Sequence, residues 1–221
     1  MELPELHKCQ NIKAASIIPI SRSKYGSVWN AYVKACDLLL SLVGQGSQDP
    51  QQVSEPQSRR IALTASLVQS IAVVEETISA GYYSCACAII RHNMEVLART
   101  MHIREGKPFE DKRPPNVAIL PFEMSKDYGR LSQLCHVAKG EVLGDFIKTE
   151  DELVASPEAQ YNEDYSIKLF TIHIGLLLGL AWEIFFLHQE LYPNHHQIDV
   201  SGPTDEIAQI LVDADLWYEK D

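Results

Sequence analysis

The stretch LFTIHIGLLLGLAWEIFFL, residues 169–187, decides how this chain is read. Nineteen nearly continuous apolar residues without proline are too long for a strand and fill every side of a helical wheel, so they predict a helix over about 164–191 that is buried on most sides. Its length touches the lower limit for crossing a bilayer, and Gly175 and Gly179 carry the small-x-x-x-small spacing of closely packed helix pairs. His173 and Glu183 argue against a span, because a carboxylate within it costs a few kcal/mol and no positively charged flank sets an orientation. The segment therefore reads as the central helix of a bundle, its two glycines admitting a neighbour.

Working outward, five more helical segments surround it. Val28, Tyr32, Ala35, Cys36, Leu39 and Val43 recur at three- and four-residue spacings up to Gly44, and a second stripe runs from Thr64 through Leu67, Val68, Ile71 and Val74 to Ile78. A helix over about 82–104 follows Gly81. Residues 105–124 hold Gly106, Pro108, Pro114, Pro115 and Pro121 and predict a crossing loop, after which a helix over about 125–139 carries Leu131, Leu134, Cys135 and Ala138. A last helix is expected from a Thr204 cap through Ile207, Ile210, Leu211, Ala214 and Trp217. Residues 1–22, with Pro4 and Pro19 and little periodicity, read as an N-terminal arm without a helix of its own, laid over a single domain at 23–221. The expected fold is an all-α bundle of about six helices, those over 82–104 and 164–191 being central.

The composition narrows the function. With 221 residues, 46% hydrophobic and 22% charged, the chain is neither disordered nor a disulfide miniprotein. A net charge of -11 disfavours nucleic acid and anionic membranes as partners. Five irregularly spaced cysteines and no secretory apolar run at the start predict reduced thiols and a cytoplasmic location.

On the helix over 82–104, Ser84, Arg91, Glu95, Arg99 and His102 share an arc of about 80° flanked by apolar positions. That stripe either lines a cleft between helices or is a solvated face with an i, i+4 ion pair. Tyr128, Ser132 and His136 repeat the pattern on the next helix, and the loop is long enough to bring the two polar edges together. The expected binding residues are Arg91, Glu95, Tyr128, Ser132 and His136, with Glu95 and His136 within hydrogen-bonding reach and a small polar molecule as ligand. No catalytic triad, phosphate-cradling glycine loop or di-metal carboxylate pattern is present. His92-x-x-Glu95 and the histidines at 188, 195 and 196 make no convincing ligand set, so neither metal nor cofactor is expected.

Arg91-x-x-x-Glu95, the proline-rich loop and Tyr128-x-x-Leu131-Ser132-x-x-x-His136 together resemble a loose group of uncharacterised bacterial all-helical proteins over residues 60–190. The resemblance implies that the arginine, glutamate and histidine face one another across the bundle, and implies no activity. Arg130-x5-His136 also resembles the arginine and histidine signature of HEPN-type helical ribonucleases, although Leu131 replaces the usual polar residue and two long helices follow. The expectation is a non-catalytic binding or assembly module, with a homodimer among its possible states. The alternative is a HEPN-like metal-independent ribonuclease.

Overall fold

The computed structural model describes residues 3–44, 52–107, 113–135, 159–194 and 198–217. Among these residues the chain forms seven α-helices: α1 (Glu5–Lys24), α2 (Ser27–Gly44), α3 (Glu55–Ser79), α4 (Tyr83–Arg104), α5 (Met124–Cys135), α6 (Glu163–Leu191) and α7 (Ser201–Asp213). A 3-10 turn lies at Val117–Ile119, and the described residues contain no strand. The all-α bundle expected from periodicity is the architecture found, with one helix added at the N-terminus.

The segment that decides the fold is its axis. Every residue from Leu169 to Ala181 is buried, and α2, α3 and α4 all pack against α6. Both α3 and α6 are long and apolar enough to cross a membrane, but 78% of the most apolar window of α6 is covered by the rest of the protein. Gly179 makes one of these contacts possible, since a Cβ there would stand 2.8 Å from Leu97 Cδ2 of α4. The α4 face that meets it, Ile90, Met94 and Leu97, is wholly buried, and each such side chain contributes about 1.5–3 kcal/mol through removal from water.

Residues 5–24 correct the expectation that the N-terminus lacks a helix. Low amphipathicity hides α1 from a periodicity search, for only Ile17 and Ser21 of its side chains are buried. Pro19 lies within it on the exposed side, where water can take up the carbonyl left without an N–H partner. Polar bonds hold this helix instead. Arg22 donates twice to Glu75 of α3, at 3.0 and 2.7 Å, and Ser21 Oγ donates to the Ser79 carbonyl at 2.8 Å. Ser79 Oγ in turn donates to Glu75 at 2.7 Å, and Tyr25, just past α1, bonds through its hydroxyl to Ser79 at 3.0 Å and to Ser166 of α6 at 3.1 Å.

Two helix starts are also earlier than the apolar stripes suggest. The polar run before Thr64 already contains the α3 cap: Ser54 Oγ accepts from the Gln57 amide while the Gln57 side chain accepts from the Ser54 amide, with proline in the first turn. Thr204 is buried inside α7 and does not cap it. Asp199 accepts from the Ser201 and Gly202 amides at the true start, and the helix ends at Asp213, short of Trp217. The end of the helix expected over 125–139 lies outside the described residues.

Candidate functional site

Arg91, Glu95 and Tyr128 come together across α4 and α5. Tyr128 donates its hydroxyl to Glu95 Oε1 at 2.6 Å, and Arg91 Nη2 donates to the same oxygen at 2.9 Å. The Arg91 guanidinium lies 5.5 Å from the Tyr128 ring centroid and reaches the hydroxyl at 3.4 Å. That bond and the Glu95 charge raise the Arg91 pKa above its ordinary value, against the effect of burial. The two ion-pair partners keep 30% and 24% of their side-chain surface exposed. The geometry is a half-buried tie between two helices whose members largely satisfy one another. Ser132 is half-buried one turn beyond Tyr128 and makes no bond to this cluster among the described residues, while His136 lies outside them. Of the arginine and histidine pair, Arg130 is exposed, and its partner His136 is again outside.

Glu95→Ala removes the acceptor shared by a tyrosine and an arginine. It is expected to cost about 1–2 kcal/mol, the ion-pair part being small because it is partly solvated. Urea denaturation checks this, and a change below about 0.5 kcal/mol would mean that the cluster is only a solvated face.

A second concavity lies beside α5, where residue 127 stands about 100° round the helix from residue 128 of the tie. It is an open groove of about 1150 Å³ between α5, α6 and α7. Ile167, Ile172 and Gly175 of α6 and Met124 of α5 form an apolar floor. Asp127, Asp164, Asp205 and Asp215 border it, with Lys126 and Lys168 as counter-charges. Phe122 and Trp217 stack at 4.8 Å on its wall. Gly175 lets the indole in, for a Cβ there would stand 3.3 Å from Trp217 Cζ2. Burial raises the Asp127 carboxyl above the ordinary carboxylate range, while Lys168 and Arg130 work to lower it.

The backbone around this groove is unusual. Phe122, Glu123 and Asp215 all have φ of 56°, the positive-φ residues other than glycine among those described, and all three line it. A bulky aromatic in the left-handed region costs free energy and persists only where surrounding structure imposes it, and such residues concentrate at ligand sites. Sequence reading missed the groove because its walls come from segments ninety residues apart, and Trp217 reads as one more apolar position on the last helix.

Two further polar groups are buried within the bundle. Glu183 accepts from Arg104 Nε at 2.9 Å and lies 3.7 Å from Arg60 Nη2, and Arg60 also pairs with Glu190 at 2.6 Å. His173 is 1% exposed. No group of three His, Cys, Asp or Glu side chains that could hold a metal ion occurs among the described residues. All five cysteines are free, and burial pushes the Cys87 thiol up to about 12, which keeps it protonated and unreactive. No known protein family, curated protein or solved structure matches this chain.

Proposed function

We propose that the protein is a non-catalytic binding module whose ligand site is the groove between α5, α6 and α7. The convergence on that groove of the three left-handed non-glycine residues found among the described residues carries the reading. Large concavities with an apolar floor, a few placed charges and a perturbed carboxyl are the usual form of small-molecule sites. The ligand that fits is a small organic cation with an apolar or aromatic portion. Its ring or chain would lie on the floor beside Trp217, and its ammonium would face Asp127, where a positive charge is favoured by the carboxylates of the rim. The tie formed by Arg91, Glu95 and Tyr128 holds α5 against α4 and so positions Asp127.

Calorimetric titration of a panel of aromatic and aliphatic amines, with the matching carboxylates as controls, tests this reading. Amines are expected to bind and carboxylates not to bind. Asp127→Asn is expected to weaken the best amine about tenfold while leaving the fold intact. Binding of carboxylates alone, or of nothing in the panel, would remove the groove as a cation site.

A further inference from the structure

Where α3, α4 and α6 pack on one another, polar side chains meet inside the bundle. His173 of α6 is 1% exposed and Asn93 of α4 is 5% exposed, and with Ser70 and Ile71 of α3 they line a cavity of about 10 Å³. Helical spacing brings them there. On α6, His173 shares a face with Leu176, Leu177 and Leu180 at i, i+3, i+4 and i+7, and on α3 Leu67, Ser70 and Ile71 stand at i, i+3 and i+4.

The hydrogen bonds around this cavity are incomplete. Ser70 Oγ donates to the Leu67 carbonyl at 2.7 Å and accepts from Asn93 Nδ2 at 2.9 Å, which leaves the hydroxyl a lone pair and the amide a second proton. Both ring nitrogens of His173 are buried without a partner among the described residues. A neutral imidazole carries one N–H and one bare nitrogen, and the Ile71 carbonyl draws the proton to its own side of the ring. The other nitrogen is then an acceptor in need of a donor, and buried polar atoms left unpaired are costly.

We infer that the cavity is a binding site for a single water molecule, held between His173, Ser70 and Asn93. The water donates to the bare ring nitrogen and to Ser70 Oγ and accepts the second amide proton of Asn93, making about three bonds, as enclosed waters do. Size excludes an organic ligand, since about 10 Å³ takes one water and nothing larger. Chemistry excludes a dry cavity, because those that stay dry are lined by apolar atoms. One enclosed water completes the bonding of a neutral imidazole without solvating a charged one, so His173 remains uncharged within the bundle. The site exists only while three helices hold their register, and the water joins all three.

Diffraction from wild-type crystals at atomic resolution and water magnetic relaxation dispersion in solution test the inference. One peak of density is expected within hydrogen-bonding distance of the His173 ring, Ser70 Oγ and Asn93 Nδ2. Ser70→Val puts a methyl group in place of the acceptor, and the number of long-lived waters is expected to fall by one. Ser70 is half-buried, so circular dichroism is expected to show the helices of this variant intact. A cavity without density in the wild type overturns the inference, as does a ring turned to bond Ser70 or Asn93 directly. An equal count of long-lived waters in wild type and Ser70→Val overturns it as well. None of the cavity residues lines the groove between α5, α6 and α7, so the outcome is independent of amine binding.

Discussion

Glu183→Ala is expected to cost about 3–5 kcal/mol of folding stability, the largest effect of any single side chain considered. Glu183 is 1% exposed and Arg60 is 2% exposed, so the pair lies in the interior. The carboxylate oxygens are divided between two cations, Oε1 accepting from Arg104 Nε at 2.9 Å and Oε2 lying 3.7 Å from Arg60 Nη2. Burial raises the Glu183 carboxyl above its ordinary range, and Arg104 and then Arg60 pull it back. The native pair gains little net stability, since desolvation offsets attraction. Removing one member is different. Arg60 would keep only Glu190, whose side chain is 37% exposed, and Arg104, stacked 4.5 Å over Phe186, would lose its acceptor.

The same reasoning separates this cost from a cavity effect. Arg60→Leu combined with Glu183→Leu takes out both buried charges and fills the space, and is expected to recover most of the loss. Urea midpoints of the single and double variants make the comparison. If the double variant is no more stable than Glu183→Ala, the loss arises from packing and not from an orphaned charge.

Glu183 shows how far the sequence carries. It is conspicuous in the apolar run as a reason to doubt a membrane span, but its partners are not readable. Arg60 and Arg104 lie on separate helices, far from it in the chain, and Arg60 stands before the apolar stripe that marks α3 in the sequence, because the Ser54 cap precedes that stripe. The tie of Arg91, Glu95 and Tyr128 is legible because it depends on helical phase: an i, i+4 pair on one helix and a boundary tyrosine on the next. The groove is not, since left-handed backbone at Phe122, Glu123 and Asp215 leaves no mark in the periodicity, and none of the three is a glycine that would signal it. The helix α1 escapes for the opposite reason, being held by Arg22, Ser21 and the hydroxyl chain around Tyr25 and not by an apolar stripe.

His173 gives the protein an acid limit. It lies within the run that forms the axis of the bundle, beside Tyr32 at 5.9 Å and Phe170 at 6.5 Å between ring centroids, and lines a small cavity together with Leu67, Ser70, Ile71, Asn93, Leu176, Leu177 and Leu180. Neither ring nitrogen has a hydrogen-bond partner among the described residues. The Ile71 carbonyl favours the charged ring slightly without reaching full hydrogen-bond geometry, and burial outweighs it, bringing the pKa down to about 4. In the unfolded chain the imidazole titrates near its ordinary value of about 6.5. Between these two values the unfolded state holds a proton that the native state does not, so stability is complete above pH 6.5 and falls as the pH drops. The loss is about 2 kcal/mol at pH 5 and about 3 kcal/mol by pH 4. Glu183 works in the opposite direction, because its raised native pKa makes protonation favour the folded state as the pH falls toward the ordinary carboxylate value. The histidine limb is therefore best isolated by difference. His173→Met keeps an apolar side chain of similar reach and no titrating group, and its stability measured by urea denaturation from pH 7 to pH 5 is expected to lack the decline seen in the native sequence. An equal decline in both proteins would show that His173 reaches solvent or a proton acceptor in the native state, and would move the origin of the acid limit to another group.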